Sequence, residues 1–181
     1  MLVRAEESVL VVVDVQARLL PAIHESGRVL RNAGILLKAA DALSVPVVLT
    51  EQYAKGLGET VEEVRAALPA GTPVLEKITF ASTGEPSFVA ALEALGRRQV
   101  VLCGTEAHVC VLQTALGLLQ LGYTVHLVAD AVSSRTPANH AAAIDRMRAA
   151  GASIVTTEMV VFEWMERAGT PVFKTVSALI R

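Results

Sequence analysis

Apolar positions along the chain fall into short solid runs that alternate with amphipathic stretches. "SVLVVVDVQ" (8–16) is a Val-rich run bounded by polar residues, which predicts a strand buried on both faces of a parallel sheet. Over 26–45, Val29, Leu30, Ala33, Leu36, Leu37, Ala40 and Leu43 recur at helical spacing and predict an amphipathic helix. "VPVVLTEQ" predicts a second strand, with Pro46 at its start, where a missing N–H is tolerated. A glycine-containing loop (53–60), a short helix ended by Pro69 and Gly71, and a third strand, "TPVLEK", follow. After the loop "ITFASTGEP", a helix runs over "PSFVAALEALG", with Pro86 in its first turn and Gly96 past its end.

The alternation continues: "RQVVLCG" is strand, "AHVCVLQTALGLLQLG" helix, "YTVHLVAD" strand, "TPANHAAAIDRMRAAG" helix and "ASIVTT" strand. "EMVVFEWMERAG" and "PVFKTVSALI" close the chain as helices. Six short strands alternating with helices predict an α/β fold, a three-layer α/β/α sandwich around a mostly parallel sheet with right-handed crossovers. There is no repeat, low-complexity tract or linker, so a single domain is expected over 1–181.

Composition narrows the function classes. The 52% hydrophobic and 19% charged residues argue against disorder. The formal charge of -2 and dispersed basic residues argue against nucleic-acid binding. Mean hydropathy is +0.49, yet charged residues interrupt every apolar run short of a membrane span, so no membrane association is expected. The opening "MLVRAEESVLVVVDVQ" has no signal-peptide pattern, and two cysteines cannot build a disulfide framework; a cytoplasmic setting is expected. The apolar late helices exceed what one sheet face requires and predict a homo-oligomer.

Ligands of open α/β sheets bind beyond the carboxyl ends of the strands. The polar residues expected there are Asp14, Thr50, Glu51, Lys77, Gly104 to Glu106 and Asp130. Asp14 follows five apolar residues, so its carboxylate would be desolvated and need a partner; the plainer alternative is a turn-forming Asp. Lys77 alone reads as a surface cation, but paired with a buried Asp it becomes compatible with burial. Cys110, placed in the first turn of a helix, would feel the positive end of the dipole, which lowers a thiol's pKa and favours thiolate. Backbone N–H groups there could form an oxyanion hole. The alternative is a small buried hydrophobe, the role assigned to Cys103 in mid-strand. His108 stands too close along the chain to align as a base for Cys110, and His24, His126 and His140 show no ligand spacing.

"VVVDVQ", "EK" with Phe80, and "GTEAHVCVLQTALGLLQLGYTVHLVADAVSSR" resemble the isochorismatase-like cysteine hydrolases, relatives of nicotinamidase and N-carbamoylsarcosine amidase. The resemblance runs nearly end to end, including "TEQY" with "LGET" and the "TTE" before the final helices. It implies a catalytic triad of Asp14, Lys77 and Cys110. It also implies a cis peptide at Thr105–Glu106, with backbone N–H groups of Glu106 and Cys110 facing an oxyanion. A small-molecule substrate and no cofactor are expected. The departures are informative. Family members that cleave a vinyl ether lack the cysteine, and "TEQYAKGLGET" contains none of the histidines that hold a nicotinamidase metal, so no catalytic metal is expected. The Phe80-Ala81-Ser82 sequence replaces the usual Phe-Ser. The expected reaction is hydrolysis of a small amide, ureido or related acyl compound through a thioester. Two alternatives stand beside it: an aspartate-nucleophile phosphatase using Asp14, Thr50, Lys77 and Asp130, and a catalytically idle binding or scaffold protein. A dinucleotide site is excluded by the lack of a glycine-rich first turn.

Overall fold

A computed structural model of the chain describes residues 1–180. Six strands form one sheet: β1 (Ser8–Val13), β2 (Val47–Gln52), β3 (Val74–Lys77), β4 (Gln99–Thr105), β5 (Thr124–Ser133) and β6 (Ser153–Val155). Their order is β3-β2-β1-β4-β5-β6 and every neighbouring pair is parallel. The solid apolar runs predicted as doubly buried strands are that: β1 and β4 lie at the centre with every residue buried. The edge strand β3 is exposed along its length except at Lys77 and the half-buried Leu75.

Helices cover both faces. α1 (Ser26–Ala42), α3 (Glu62–Arg65), α7 (Thr157–Met165) and α8 (Phe173–Ser177) pack together on one side. α4 (Pro86–Leu95), α5 (Leu112–Gln120) and α6 (Pro137–Ala149) lie on the other, while α2 (Ala54–Leu57) is a single turn in the loop after β2. Local chemistry sets the ends. Thr136 and Thr156 accept from the N–H groups of Asn139 (3.2 Å) and Met159 (3.3 Å), capping α6 and α7. Pro86 occupies the first turn of α4 and Gly96 closes it at φ 64°. The predicted early helix over 60–71 is regular only in α3, and the final segment splits into α8 and a 3-10 turn, Ala178–Ile180. Trp164 is buried and donates to Ser8 Oγ (3.1 Å), a packing role, whereas Phe162 is exposed.

Two deviations bear on the site. The helix after β4 opens with a wide π turn, Ala107–Val111, before α5 begins. Opposite it, β5 runs three residues past Asp130, because the β4–β5 register shifts between Leu102 and Gly104. Gly104 has φ 127° and pairs with Val13; a Cβ there would lie 2.1 Å from the Val13 carbonyl oxygen. No side chain fits between β1 and β4 at this point.

His126 on β5 is fully buried, and neither ring nitrogen has a hydrogen-bond partner among the described residues. Burial lowers its pKa, opposed by the charge of Glu163. A lowered folded value means that the unfolded chain binds the proton more readily, so stability rises with pH. The contribution is present above about pH 6.5 and is lost as the pH falls from there through the lowered folded value. Urea unfolding from pH 8 to 5 is expected to show this loss, and His126→Leu to reduce it.

Candidate active site

Strand order reverses between β1 and β4, the position where open α/β sheets form a crevice. Asp14 leaves β1 there in a left-handed conformation, φ 53°. Its main chain is fixed on three sides: its N–H donates to Thr50 O (3.1 Å), and its carbonyl accepts from Gln16 N (3.0 Å) and Thr105 Oγ1 (2.5 Å). The carboxylate is 0% exposed. Oδ1 accepts from Thr50 Oγ1 at 2.8 Å, and Oδ2 lies 2.7 Å from Lys77 Nζ in an ion pair.

Lys77, at the end of β3, is 2% exposed. Its ammonium also donates to Gln52 Oε1 (2.6 Å), Phe80 O (3.1 Å) and Thr79 O (3.3 Å). Gln52 is held in turn, donating through Nε2 to Ile78 O (2.8 Å) and through its N–H to Gln16 Oε1 (2.7 Å). Gln16 closes the layer by donating to Gln52 O (3.0 Å) and Gly58 O (2.6 Å). Gln16 thereby ties the end of β1 to the segment after β2.

Cys110 lies in the π turn, 1% exposed, close enough to the Asp14–Lys77 pair for both charges to act on its thiol. The structure therefore brings Asp14, Lys77 and Cys110 together, three residues from three separate crossovers. Burial raises the Asp14 carboxyl above 3.8, while the Lys77 charge and the bonds from Thr50 and Cys110 pull the other way. The Cys110 thiol is pushed up to about 12, first by burial and then by the Asp14 charge, with Lys77 opposing. This corrects the expectation of a depressed thiol: a partial charge at a helix end does not outweigh lost hydration and an adjacent carboxylate. Cys103, also pushed up to about 12, is a core thiol as expected.

The cis peptide at Thr105–Glu106 is not found; no peptide bond among the described residues is cis. The chain turns here through the dihedrals of Gly104 (φ 127°) and Glu106 (φ 15°, ψ 87°), and keeps the lower-energy trans bond. The Glu106 carbonyl accepts from Val109 N (2.9 Å) and Val111 N (3.3 Å), and its side chain pairs with Arg135 Nε at 2.6 Å. His108 Nδ1 meets Ser134 Oγ at 3.0 Å, a rim contact.

Other candidates lie apart. Asp130 Oδ1 caps α7, accepting from Thr157 N (2.8 Å) and Oγ1 (2.9 Å), and Glu51 Oε1 accepts from Thr60 N and Oγ1, both at 2.7 Å. Among the described residues no group of three or more His, Cys, Asp or Glu is placed to hold a metal ion. Nor is any helix long and apolar enough to cross a membrane. The sequence assigned no part to Gln52, Arg135 or Ser134, and to Thr105 only the implied cis peptide; the signal for all four was position at or just beyond a strand end.

The profile of the isochorismatase domain matches residues 8–159. The chain belongs to the isochorismatase family. It is 41% identical over 177 residues to the secreted isochorismatase effector Isc1 of Phytophthora sojae, covering 96% of this chain and 84% of that protein. Among solved structures, the MAR1 ribonuclease of Caenorhabditis elegans superposes with a TM-score of 0.95 at 37% identity, over 99% of this chain and 92% of that one. Escherichia coli YcaC, described as an octameric hydrolase of unknown specificity, gives 0.92 at 26% identity, over 99% and 90%. Pseudomonas aeruginosa YcaC, solved with hexane-2,5-diol and covalent acrylamide, gives 0.91 at 25%, over 98% and 91%. The isochorismatase-like fold carries the Asp14–Lys77–Cys110 cluster at its strand-order reversal.

Thr50 is the one hydroxyl donor to Asp14 Oδ1 among the described residues. Thr50→Val keeps the shape and leaves that buried oxygen unsatisfied, an expected loss of about 1–3 kcal/mol in denaturant unfolding.

Proposed function

We propose that the protein is a cysteine-dependent hydrolase of a small amide, ureido or related acyl compound. The observation that carries this reading is the buried Cys110 thiol set beside an Asp14 carboxylate that is ion-paired with Lys77 at 2.7 Å. A thiol pushed up to about 12 cannot attack as a standing thiolate at neutral pH, so attack requires a base in contact with it. Asp14, with its carboxyl raised by burial, is that base. As sulfur bonds to the substrate carbonyl carbon, the thiol proton passes to Asp14 and the carbonyl oxygen becomes an oxyanion. Backbone N–H groups of Glu106 and Cys110 are assigned to receive it. Collapse breaks the C–N bond, and the departing amine takes the proton from Asp14, leaving a thioester. Water then attacks the thioester carbonyl, giving a proton to Asp14; collapse returns it to sulfur and releases the acid. Lys77 keeps Asp14 oriented and offsets the negative charge. The sequence of steps uses no metal or cofactor. Acrylamide, which accepts thiols across its double bond, is bound covalently in the Pseudomonas YcaC relative, and this supports a reactive thiol on the fold.

The phosphatase reading loses ground because Asp130 is occupied in capping α7. RNA cleavage is a second reading, favoured by the C. elegans relative described as a ribonuclease. It is separated by assaying RNA beside the small amides.

A panel of amide and ureido compounds with ammonia detection, run on native protein, Cys110→Ala and Asp14→Asn, tests the proposal. Native turnover is expected to fall at least about 10³-fold in Cys110→Ala with the circular dichroism unchanged. Full activity in that variant overturns the mechanism. Because Asp14 must be ionised and its carboxyl is raised, activity is expected to decline on the acid side well above pH 3.8.

We also propose a homo-oligomer, supported by the exposed Met159 and Phe162 on α7 and by the octameric E. coli relative. Light scattering is expected to give a multiple of the 19.1 kDa chain mass; a monomer at assay concentration ends the idea.

A further inference from the structure

The turn that follows β3 supplies two of the carbonyls around the Lys77 ammonium, those of Thr79 and Phe80. It has little apolar anchoring of its own, since Ile78 is 70% and Phe80 54% exposed. What holds it is Glu85. This residue begins α4, and its carbonyl accepts from the helical N–H groups of Phe88 (3.0 Å) and Val89 (3.3 Å). Its side chain makes no cap bond to that helix. Instead Oε1 reaches back and accepts three hydrogen bonds, from Ile78 N (3.0 Å), Thr79 N (3.0 Å) and Thr79 Oγ1 (2.8 Å). Two consecutive amides converging on one carboxylate oxygen set the orientation of the peptide units that follow them. The far end of the same loop is tied to α5 by Ser82 N donating to Thr114 Oγ1 (2.9 Å).

We propose that Glu85 is a positioning residue: by gripping the Ile78–Thr79 amides it aims the Thr79 and Phe80 carbonyls at Lys77, and so keeps that ammonium where it assists ionisation of Cys110. The inference rests on the reading of Cys110 as nucleophile. Glu85 touches neither Asp14 nor Cys110, so its influence passes through the turn and Lys77. The bonds from Thr79 and Ile78 hold the Glu85 carboxyl below its ordinary 4.5, as does the Lys77 charge, so the grip persists through neutral pH. The charged groups acting on the thiol itself are Asp14, Lys77 and Glu106, and of these Lys77 is the one whose surrounding carbonyls Glu85 positions.

The test uses acrylamide as the thiol probe. Its adduct on Cys110 is followed by mass spectrometry at pH 8 in the full-length protein. Variants are Glu85→Gln, Glu85→Asp, Lys77→Met and the Glu85→Gln/Lys77→Met pair. Glu85→Gln is expected to slow addition about tenfold, equivalent to one pH unit of thiolate population. Circular dichroism should be unchanged, and Glu85→Asp should recover part of the rate. Because Glu85 acts through Lys77, the double variant should react at the rate of Lys77→Met alone, a non-additivity that a general loosening of the fold would not produce. An unchanged rate in folded Glu85→Gln, or effects that simply multiply, overturns the inference while leaving the nucleophile reading intact. An unchanged rate in Lys77→Met overturns the role of the lysine, and both with it. Should Lys77→Met not fold, the three Glu85 forms decide: a rate order of native, Asp, Gln supports the inference, and equal rates overturn it.

Discussion

Everything at the carboxyl rim of the sheet depends on one buried ion pair, Asp14 with Lys77. Removing a carboxylate and an ammonium from water is costly, and their attraction offsets this only when the remaining lone pairs and protons are satisfied. Here they are. Thr50 covers one carboxylate oxygen, and Gln52 with two backbone carbonyls covers the rest of the ammonium. The pair sets the chemistry of its neighbour. Burial raises the Asp14 carboxyl while the Lys77 charge opposes it, and after burial the Asp14 charge is the next reason that the Cys110 thiol is pushed up.

The backbone is bent to make that meeting possible. Asp14 leaves β1 with φ 53°, a conformation that costs a non-glycine residue energy and persists only where surrounding contacts hold it. Thr105 and Thr50 supply those contacts from the two flanking strands. Across the gap Gly104 lets β4 approach Val13 closely, and the π turn then presents Cys110 toward the carboxylate. The irregular backbone at Asp14, Gly104 and the π turn lies where the central, fully buried strands β1 and β4 end, and the strands on either side are rigid enough to sustain it.

Around the pair lies a layer of neutral polar side chains, Gln16, Gln52, Thr50 and Thr105, joining the ends of β1, β2 and β4. Its members are nearly all bonded to backbone, so they fix loops as well as side chains. The stretch "TEQY", without histidine, builds this network: Thr50 serves the carboxylate, Gln52 the ammonium, and Glu51 turns away to Thr60.

The strand and helix order, the parallel sheet and the placement of Asp14 and Lys77 at strand ends on one rim were legible in the residues alone. Burial on both strand faces demands solid apolar runs, and a polar residue ending such a run has only the carboxyl rim to occupy. Gln52, Thr105 and Arg135 were not legible as partners, because their roles depend on which strand ends are neighbours. Asp130 looked equivalent to Asp14 in its run but caps α7, since β5 continues past it through a register shift. Only the tertiary structure decided that Thr105–Glu106 is trans and that burial and the Asp14 charge push the Cys110 thiol up. Protonation follows the balance of lost water against charges brought close in space, and no spacing along a chain encodes that balance.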